Sequence, residues 1–418
     1  MTIIGLGRFY TKKLFKTVKI RRTFIVVGLL ALVFVFFISG KDKAISMFTR
    51  PYFVAGKDIF YDVHQIYAEV KSKELDSIFT KYHKMGAFNG SVIYGEHGGE
   101  IFKKAYGYSD FGEKSPLNTS STFQLASVSK MFTATAIMLL AEQGKLKYDD
   151  YITTFIPEFP YGKVTIRHLL NHRSGLANYM YLADNKWNVS RPLGNKDMIN
   201  LFVQYKPECY FQPDKSFQYN NTNYALLASI VERITDEPFD RFVKENIFEP
   251  LEMDHSFVYC LTVDSLIGGI VPVGVPGYQT RNGRLVKMEN NYLNGVTGDK
   301  GVYSTVEDLY KFSRALDQGT LVKPSSLEAA FTGGSPASKG NRDNYGFGWR
   351  IRKDMDSTVY HFGWWKGFRT YFIRDMRNEK VLIVLSNTTK GFPSDVLWNI
   401  IKDNSTRDEL LSIYDNLD

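Results

Sequence analysis

A long apolar run near the start of the chain divides the protein into two unequal parts. Residues 24–39 contain no charged side chain, and Thr23 and Gly40 extend the run without adding charge. The eighteen residues from 23 to 40 would span roughly 27 Å as a helix, about the thickness of a membrane's hydrocarbon core. The run therefore predicts a transmembrane helix over residues 23–40.

The net charge of +8 is concentrated in front of this run. Residues 1–22 carry seven Lys and Arg and no Asp or Glu, which leaves the rest of the chain close to neutral. A positive flank predicts that the tail stays in the cytoplasm and that the remainder is exported. A nearly neutral remainder offers no basic face for phosphates, so no nucleic-acid partner is expected.

A cleaved signal peptide is the alternative interpretation of the same segment. The basic region and the apolar run are both long and no A-x-A site follows, which favours a retained anchor. We expect a single-pass protein of the cell inner membrane whose main part is periplasmic. The predicted organisation is a cytoplasmic tail (1–22), an anchor (23–40), a linker (41–70), one large domain (71–405) and a C-terminal tail (406–418).

Two cysteines, Cys209 and Cys260, fall in the predicted exported part. An oxidising compartment permits a disulfide between them. Sequence spacing does not show whether they are close in space. The sequence therefore leaves two alternatives, a disulfide between them or two separate thiols.

Strands are predicted at both ends of the large domain, and helices in its middle. This order indicates an α+β fold in which the terminal strands complete one antiparallel sheet and the central helices form a second lobe. Apolar periodicity and turn residues give the bounds. The predicted helices are 71–85, 125–144 and 394–402, and the predicted strands are 90–94, 100–108, 346–352, 358–361, 367–374 and 381–386.

The first candidate for chemistry is Ser127-Val128-Ser129-Lys130, at the start of the long helix. Residues three apart share a helix face, so Ser127 and Lys130 project together. A serine hydroxyl needs a base to become a nucleophile, and the helix N-terminus favours a developing oxyanion. Because S-x-x-K is a short pattern, the alternative is that Ser127 only caps the helix.

The second candidate is Tyr219-Asn220-Asn221, just before another apolar helix. A tyrosine close to a lysine can have its pKa lowered and can carry a proton, and an asparagine amide can donate to and accept from a substrate. The alternative is a turn with a helix cap.

The third candidate is His361-Phe362-Gly363 on a predicted strand. A glycine there lets a substrate backbone approach the strand closely. The next N–H, that of Trp364, could pair with the N–H of Ser127 as an oxyanion hole. The alternative is a structural histidine.

In this order and at these separations, the three motifs resemble the serine β-lactamase and penicillin-binding protein superfamily, and in particular its class C branch. The resemblance runs from about residue 72 to about residue 403. The stretches that carry it are Gly107–Asp110, Thr122–Lys130, Thr165–Leu176, Tyr219–Tyr224, Pro250–Met253 and Gly301–Thr305.

The resemblance implies a β-lactamase/transpeptidase-like fold, with a mixed antiparallel sheet flanked by helices and a helical lobe. Ser127 would be the acylated nucleophile, Lys130 its base and Tyr219 a proton relay. Asn221, His361, Gly363 and Trp364 would bind the substrate. No cofactor and no metal are implied.

Two histidines, His168 and His172, need separate consideration because spacing of four on a helix can hold zinc. The glutamate of the H-E-x-x-H pattern is missing between them. The resemblance implies a structural role for this stretch instead.

One departure from the family pattern bears on the substrate. His361 occupies the first position of a motif that is K-T-G in class C β-lactamases, and histidine is only partly charged near neutral pH. The resemblance then implies a DD-carboxypeptidase or esterase type of enzyme rather than a β-lactamase. Trp364 and Trp365 would narrow the cleft, and Lys366 or Arg369 could replace the missing cation.

Two functions from different classes follow. The first is a membrane-anchored serine hydrolase acting on D-amino-acid peptides, among them peptidoglycan stem peptides, or on small esters. The second is a catalytically silent binding or sensor domain for cell-wall peptide. Because Ser127, Lys130, Tyr219 and Asn221 are all present, the sequence favours the enzyme.

Overall fold

A computed structural model describes residues 65–261, 274–335, 343–355 and 357–405. Residues Glu69–Asp408 form one compact unit. The basic tail, the predicted anchor, nearly all of the linker and the C-terminal tail lie outside the described residues. Within those residues, no helix has both the length and the apolar character needed to cross a membrane.

The main sheet has seven strands, which come from the N-terminal and the C-terminal parts of the compact unit's sequence. Its strand order is β10-β11-β12-β13-β14-β1-β2, and every pairing in it is antiparallel, so the sheet is not mixed. Its strands are β1 (Gly90–Glu96), β2 (Gly99–Tyr106), β10 (Asn344–Tyr345), β11 (Arg350–Ile351), β12 (Thr358–Trp365), β13 (Phe368–Asp375) and β14 (Lys380–Ser386).

Three small sheets accompany the main one. In the three-stranded sheet, β9 pairs with β5 on one side and with β6 on the other. Strand β5 leads into the predicted serine motif, so its pairing with β9 fixes the start of that motif. The other two are hairpins. Their strands are β3 (Tyr108–Asp110), β4 (Ser115–Pro116), β5 (Phe123–Gln124), β6 (Phe257–Val258), β7 (Gly277–Arg281), β8 (Arg284–Met288) and β9 (Val302–Ser304).

Helices cover both faces of the main sheet, which explains why its strands β1 and β14 are buried along their whole length. Alternate residues of β1 point to opposite faces, and all seven are buried. Ile93 packs into the core shared with the helical lobe, whereas Val92 and Tyr94 pack under the two terminal helices. The helices are α1 (65–84), α2 (Ser129–Glu142), α3 (Ile166–Leu170), α4 (Tyr179–Lys186), α5 (Asn195–Tyr205), α6 (Asn221–Thr235), α7 (Phe239–Val243), α8 (Val306–Gln318), α9 (Pro324–Ala330) and α10 (Ser394–Lys402).

Helix α2 is the helical centre of the lobe. Eleven of its fourteen residues are buried, as expected of a helix that is apolar all round. Helices α6 and α7 are among the elements that pack against it. The serine motif therefore leads directly into the best-buried helix of the unit.

The sequence prediction is correct for most long elements and wrong for one strand. Helix α10 has the predicted bounds, and α1 extends back to residue 65, ahead of the predicted start. Within the predicted strand 346–352, residues 346–349 form a loop between the two-residue strands β10 and β11, and only Arg350–Ile351 form a strand. Gly348, with a φ of 81°, turns the chain there, and a Cβ at this glycine would lie 2.9 Å from the carbonyl oxygen of Lys130.

The two cysteines are unpaired. Cys209 and Cys260 are both free thiols and both are partly buried. Cys260 Sγ lies 3.3 Å from the carbonyl oxygen of Gly295, and burial raises its pKa to about 11. Of the two alternatives left open by the sequence, the structure shows separate thiols.

Replacing Phe79 by alanine should strongly destabilise the unit. Phe79 on α1 is fully buried, with its ring 4.6 Å from that of Phe392 and 5.4 Å from that of Phe88. Loss of such a ring leaves a cavity and should lower the free energy of unfolding by roughly 3–5 kcal/mol. Urea unfolding measures this change. Met85→Ala, at a side chain 64% exposed, is the control and should stay within about 0.5 kcal/mol of wild type.

Candidate active site

Ser127 lies in a short 3₁₀ turn between β5 and α2. The turn is fixed at Leu125, whose N–H donates to Val302 (2.8 Å) and whose carbonyl accepts from the Thr370 hydroxyl (2.7 Å). Ala126 has a φ of 51°, a left-handed conformation that costs a non-glycine residue about 1–2 kcal/mol. The result is a partly exposed Ser127 between buried neighbours.

The alternative role of Ser127 as a helix cap is wrong. Helix α2 begins at Ser129, and the preceding Val128 makes no side-chain cap. Ser129 is fully buried, and its hydroxyl accepts from the N–H of Val302 at 3.0 Å. Of the two serines in the motif, Ser129 is tied to the neighbouring strand and Ser127 faces the lysine.

Lys130 is completely buried, and its amine meets three oxygens. Nζ lies 3.2 Å from Ser127 Oγ, 2.9 Å from Asn221 Oδ1 and 2.7 Å from the carbonyl oxygen of Asp299. Burial lowers the pKa of Lys130 to about 7, since a dry environment disfavours the charged form. The charge of Asp299 opposes this shift and that of Arg350 adds to it. A substantial fraction of the amine is neutral near pH 7.

Tyr219 packs its ring against the same amine, with Lys130 Nζ 5.0 Å from the ring centroid. Its buried hydroxyl makes no hydrogen bond of good geometry in the described part of the chain, although Ser127 is close enough to influence its pKa. Burial raises that pKa, and the effects of Ser127 and Arg350 in the other direction are smaller. The expected lowering of the tyrosine pKa is therefore wrong, and Tyr219 keeps its proton.

Asn221 is the first residue of α6, after an Asn220 cap that accepts from the N–H of Thr222. Its Oδ1 accepts from Lys130 Nζ, and its amide nitrogen lies 3.1 Å from Met180 Sδ. The helix start thus places the asparagine where it holds the lysine, with one amide hydrogen left for another acceptor.

His361 is buried in β12, with both ring nitrogens engaged by the protein. Nε2 lies 2.9 Å from the Tyr345 hydroxyl and Nδ1 lies 2.9 Å from the Phe362 carbonyl. A carbonyl only accepts, which assigns the proton to Nδ1. Burial, with the charges of Arg350 and Lys130, holds the pKa of His361 well below its usual value. The imidazole is neutral rather than partly charged.

Gly363 lets β12 pack against the serine turn. A Cβ at this position would meet Thr370 Oγ1 at 2.2 Å and the carbonyl oxygen of Leu125 at 2.3 Å. The space that a side chain would fill is occupied by the protein, so packing requires a glycine here. The packing brings the backbone of Trp364 next to the turn that carries Ser127.

The two tryptophans that follow differ in exposure. Trp364 is 62% exposed, and the guanidinium of Arg369 lies 4.4 Å from its ring centroid. Trp365 is partly buried and has two amines near its ring, those of Lys300 (5.4 Å) and Lys366 (5.8 Å). Both cations considered from the sequence, Arg369 and Lys366, therefore lie against indole rings.

A buried charged cluster beside Lys130 escaped the sequence reasoning. Lys300 Nζ lies 3.2 Å from Asp299 Oδ1 and 2.7 Å from the Tyr179 hydroxyl, which in turn lies 3.0 Å from Asp299 Oδ2. All three residues are buried. The sequence signal was available, since Asp299 and Lys300 are the only charged residues in the stretch 290–305.

His168 and His172 have structural contacts. His168 Nδ1 accepts from the N–H of Thr165 in a capping box, and His172 Nδ1 accepts from the N–H of Asn220. Across the described ranges, no group of three or more metal-ligating side chains is found.

Comparisons with known proteins match most of the compact unit. A family model described as Beta-lactamase matches residues 75–404. Penicillin-binding protein 4* of Bacillus subtilis (strain 168) is 36% identical over 333 residues, which cover 76% of this chain and 72% of that protein.

Solved structures share the fold. The octameric penicillin-binding protein homologue of Pyrococcus abyssi superposes with a TM-score of 0.67 at 25% identity, covering 79% of this chain and 76% of that one. The D-amino acid amidase of Ochrobactrum anthropi SV3, in its complex with L-phenylalanine amide, gives a TM-score of 0.62 at 22% identity and covers 83% and 99%.

Acylation of Ser127 should become faster as the pH rises through about 7. Only the neutral amine of Lys130 can accept the serine proton, and the neutral fraction grows from roughly a tenth one unit below the pKa to roughly nine-tenths one unit above it. Labelling rates with a fluorophosphonate between about pH 5 and about pH 9 measure this profile. Lys130→Arg should label slowly throughout, because arginine stays protonated. A flat wild-type profile would contradict the assignment of the base.

Proposed function

This chain belongs to the beta-lactamase family, and from that premise we propose that it is a serine hydrolase working through an acyl-enzyme on Ser127. The proposed substrates are D-amino-acid peptides, including peptidoglycan stem peptides, or small esters. One observation carries the proposal: Lys130 Nζ lies 3.2 Å from Ser127 Oγ, at a lysine whose pKa burial lowers to about 7.

The three contacts of Lys130 match the hydrogens of a neutral amine. Such an amine has two N–H donors and one lone pair. The oxygens of Asn221 and Asp299 take the two donors, which leaves the lone pair for the hydroxyl of Ser127. Both acceptors therefore orient the base as well as solvating it.

Acylation would begin with transfer of the Ser127 proton to Lys130 as Oγ attacks the substrate carbonyl. The developing oxyanion would lie between the N–H groups of Ser127 and Trp364, and collapse of the intermediate breaks the bond to the leaving group. Tyr219 would donate its proton to that group and recover one from Lys130. A tyrosine that burial keeps protonated suits this acid role.

Deacylation would reverse the proton path with water as the nucleophile. Lys130, which is neutral again after acylation, takes a proton from the water through Tyr219, which passes its own proton to the amine as it receives the proton of the water. The water oxygen bonds to the acyl carbon, and the proton returns from Lys130 to Ser127 Oγ as the bond between Oγ and the acyl carbon breaks. The products are the free acid and the original enzyme.

The substrate class rests on relatives and on His361. A relative 36% identical is named as a penicillin-binding protein, which supports D-amino-acid peptides as substrates. The buried, neutral His361 cannot offer the fixed positive charge that lysine gives at this place in class C β-lactamases. This disfavours β-lactam hydrolysis as the main activity.

A silent binding or sensor domain for cell-wall peptide is the second function considered. The short distances among Ser127, Lys130 and Asn221 favour the enzyme, because a domain that only binds has no need of a buried amine directed at a serine. Covalent labelling by a fluorophosphonate or a labelled penicillin separates the two.

We also propose that residues 23–40 anchor the protein in the cell inner membrane, with the hydrolase in the periplasm. The support comes from the sequence alone: an uncharged apolar run with a basic flank before it.

Ser127→Ala should abolish covalent labelling and turnover without unfolding the protein, because the only hydrogen bond found for its hydroxyl in the described residues is with Lys130. Ser129→Ala is the matched control in the same motif. It leaves the buried N–H of Val302 without its acceptor, which should cost about 1–3 kcal/mol of stability while labelling persists. Peptide mass spectrometry locates the adduct. An acyl group found on Ser129 would refute the assignment.

Protease added to intact spheroplasts should digest the hydrolase if it lies outside the cytoplasm. Immunodetection of the C-terminal part before and after lysis gives the result. Full protection until lysis would show the opposite orientation. A soluble mature form that begins near Lys41 would show a cleaved signal peptide instead of an anchor.

A further inference from the structure

Two buried lysines contact the same aspartate. Lys130 is the proposed base on α2, and Lys300 belongs to the loop before β9. Asp299 offers its backbone carbonyl to Lys130 and its side-chain carboxylate to Lys300. All three residues are at most 4% exposed. One carboxylate in a dry site balances the charge of one amine, so protonation of the second amine is costly.

The contacts of Lys300 are those of a charged ammonium group. Its Nζ lies 2.7 Å from the Tyr179 hydroxyl, 3.2 Å from Asp299 Oδ1 and 3.4 Å from the carbonyl oxygen of Val296. The Tyr179 hydroxyl donates its own hydrogen to Asp299 Oδ2 at 3.0 Å, so it can only accept from Lys300. Three acceptors need three N–H donors, which only the protonated amine has.

The contacts of Lys130 differ in one respect. Two of its three oxygens, Asn221 Oδ1 and the carbonyl oxygen of Asp299, can only accept. The third belongs to the Ser127 hydroxyl, which can also donate. A neutral amine satisfies this set with two N–H donors and its lone pair. The hydrogen bonds therefore assign the charge to Lys300 and the free lone pair to Lys130.

Aromatic rings around Lys300 also favour its charged form. Its Nζ lies 5.4 Å from the ring centroid of Trp365 and 5.5 Å from that of Tyr179. A cation over an aromatic ring is stabilised, and more so where water is excluded. Burial lowers the pKa of Lys300, and the charge and hydrogen bond of Asp299 oppose that shift. The rings and the carboxylate together offset the cost of burying this ammonium group.

The other titratable groups packed around the two amines keep one charge state near neutral pH. Burial holds the pKa of each histidine well below its usual value and raises the pKa of each tyrosine and of the cysteine. Arginine stays charged. These groups are His172 after α3, Tyr179 on α4, Tyr219 and Tyr224 at α6, Cys260 after β6, Arg350 on β11 and His361 on β12.

We propose that Lys300 is a positioning residue for the base: it balances the charge of Asp299 and so leaves Lys130 as a neutral amine directed at Ser127. The inference rests on the proposed function, because it deepens the role given to Lys130. Without Lys300, the carboxylate of Asp299 would lose its counter-charge and Lys130 would be left to supply one. A nearby opposite charge raises the pKa of an amine, so Lys130 would hold its proton and could not accept that of Ser127.

The pH profile of fluorophosphonate labelling in the full-length protein tests this role. Lys300→Met should raise the midpoint of the profile by about 1–3 pH units, because the uncompensated carboxylate stabilises protonated Lys130. Asp299→Asn should lower the midpoint, since it removes the opposite charge and keeps both amines. The double variant Asp299→Asn/Lys300→Met removes both charges and should return the midpoint towards that of wild type. Lys300→Arg keeps the charge and should rescue the profile.

Lys71→Met is the matched control. Lys71 is as buried as Lys300 and lies 2.8 Å from a carboxylate oxygen of Asp403, but it belongs to α1. Its loss should lower the stability and leave the midpoint unchanged. An unchanged midpoint in Lys300→Met would overturn the proposal, and so would a double variant whose midpoint stays as high as that of Lys300→Met. If Lys300→Met does not fold, Lys300→Gln, which keeps a donor without the charge, decides in its place.

A direct titration separates failure of this inference from failure of the proposed function. Lysines carrying carbon-13 at Cε report amine protonation by nuclear magnetic resonance, and the spectra of Lys130→Arg and Lys300→Arg identify the two signals. Lys300 should still be protonated at the pH where Lys130 is half neutral, about 7. This order supports the charge assignment even if Ser127 is never labelled. The reverse order, in a protein whose Ser127 is labelled normally, overturns the inference and leaves the hydrolase intact.

Discussion

The burial of the Lys130 amine is the constraint on which the surrounding structure depends. An amine without water needs oxygen atoms in fixed places, and here they come from the serine turn, the start of α6 and the loop before β9. Each segment is fixed separately, the serine turn by Val302 and Thr370. Helix α2, which carries the lysine, is in turn covered on nearly every side. The Lys130 side chain thus links the serine turn, which packs against β12 of the main sheet, to helix α6 of the helical lobe.

The charges around the amine decide whether it can act as a base. The carboxylate of Asp299 alone would hold Lys130 in its charged form, because opposite charges a few ångström apart raise the pKa of an amine. Lys300 and the Tyr179 hydroxyl are bonded to that carboxylate. Burial dominates over the effect of Asp299, and the charge of Arg350 acts in the same direction as burial. The lowered pKa of Lys130 therefore depends on its surroundings in the fold and not on the S-x-x-K motif alone.

Local patterns predicted the parts of this structure that local physics determines. Helix α10 and strand β1 follow from apolar spacing. The closeness of Ser127 and Lys130 was also predicted, although Ser127 lies in the 3₁₀ turn before α2 and not in the helix itself. The role of Arg350 and the bond between His361 and Tyr345 could not be found this way, because they depend on contacts between distant segments. The loop at Gly348, for example, bends where alternating residues predict a strand, since only the packing against α2 requires the turn. The neutral state of His361 likewise follows from burial, which its neighbours in sequence do not reveal.

The guanidinium of Arg350 lies over the rings of Tyr219 and Tyr345, at 5.2 and 5.8 Å from their centroids. This arrangement explains why a neutral histidine suits the site. A charged imidazole at His361 would repel Arg350 and Lys130 within one dry cleft, where repulsion is weakly screened. With His361 neutral and bonded to Tyr345, that tyrosine is held in place as one of the two rings on which Arg350 stacks. The histidine then supports the arginine instead of competing with it.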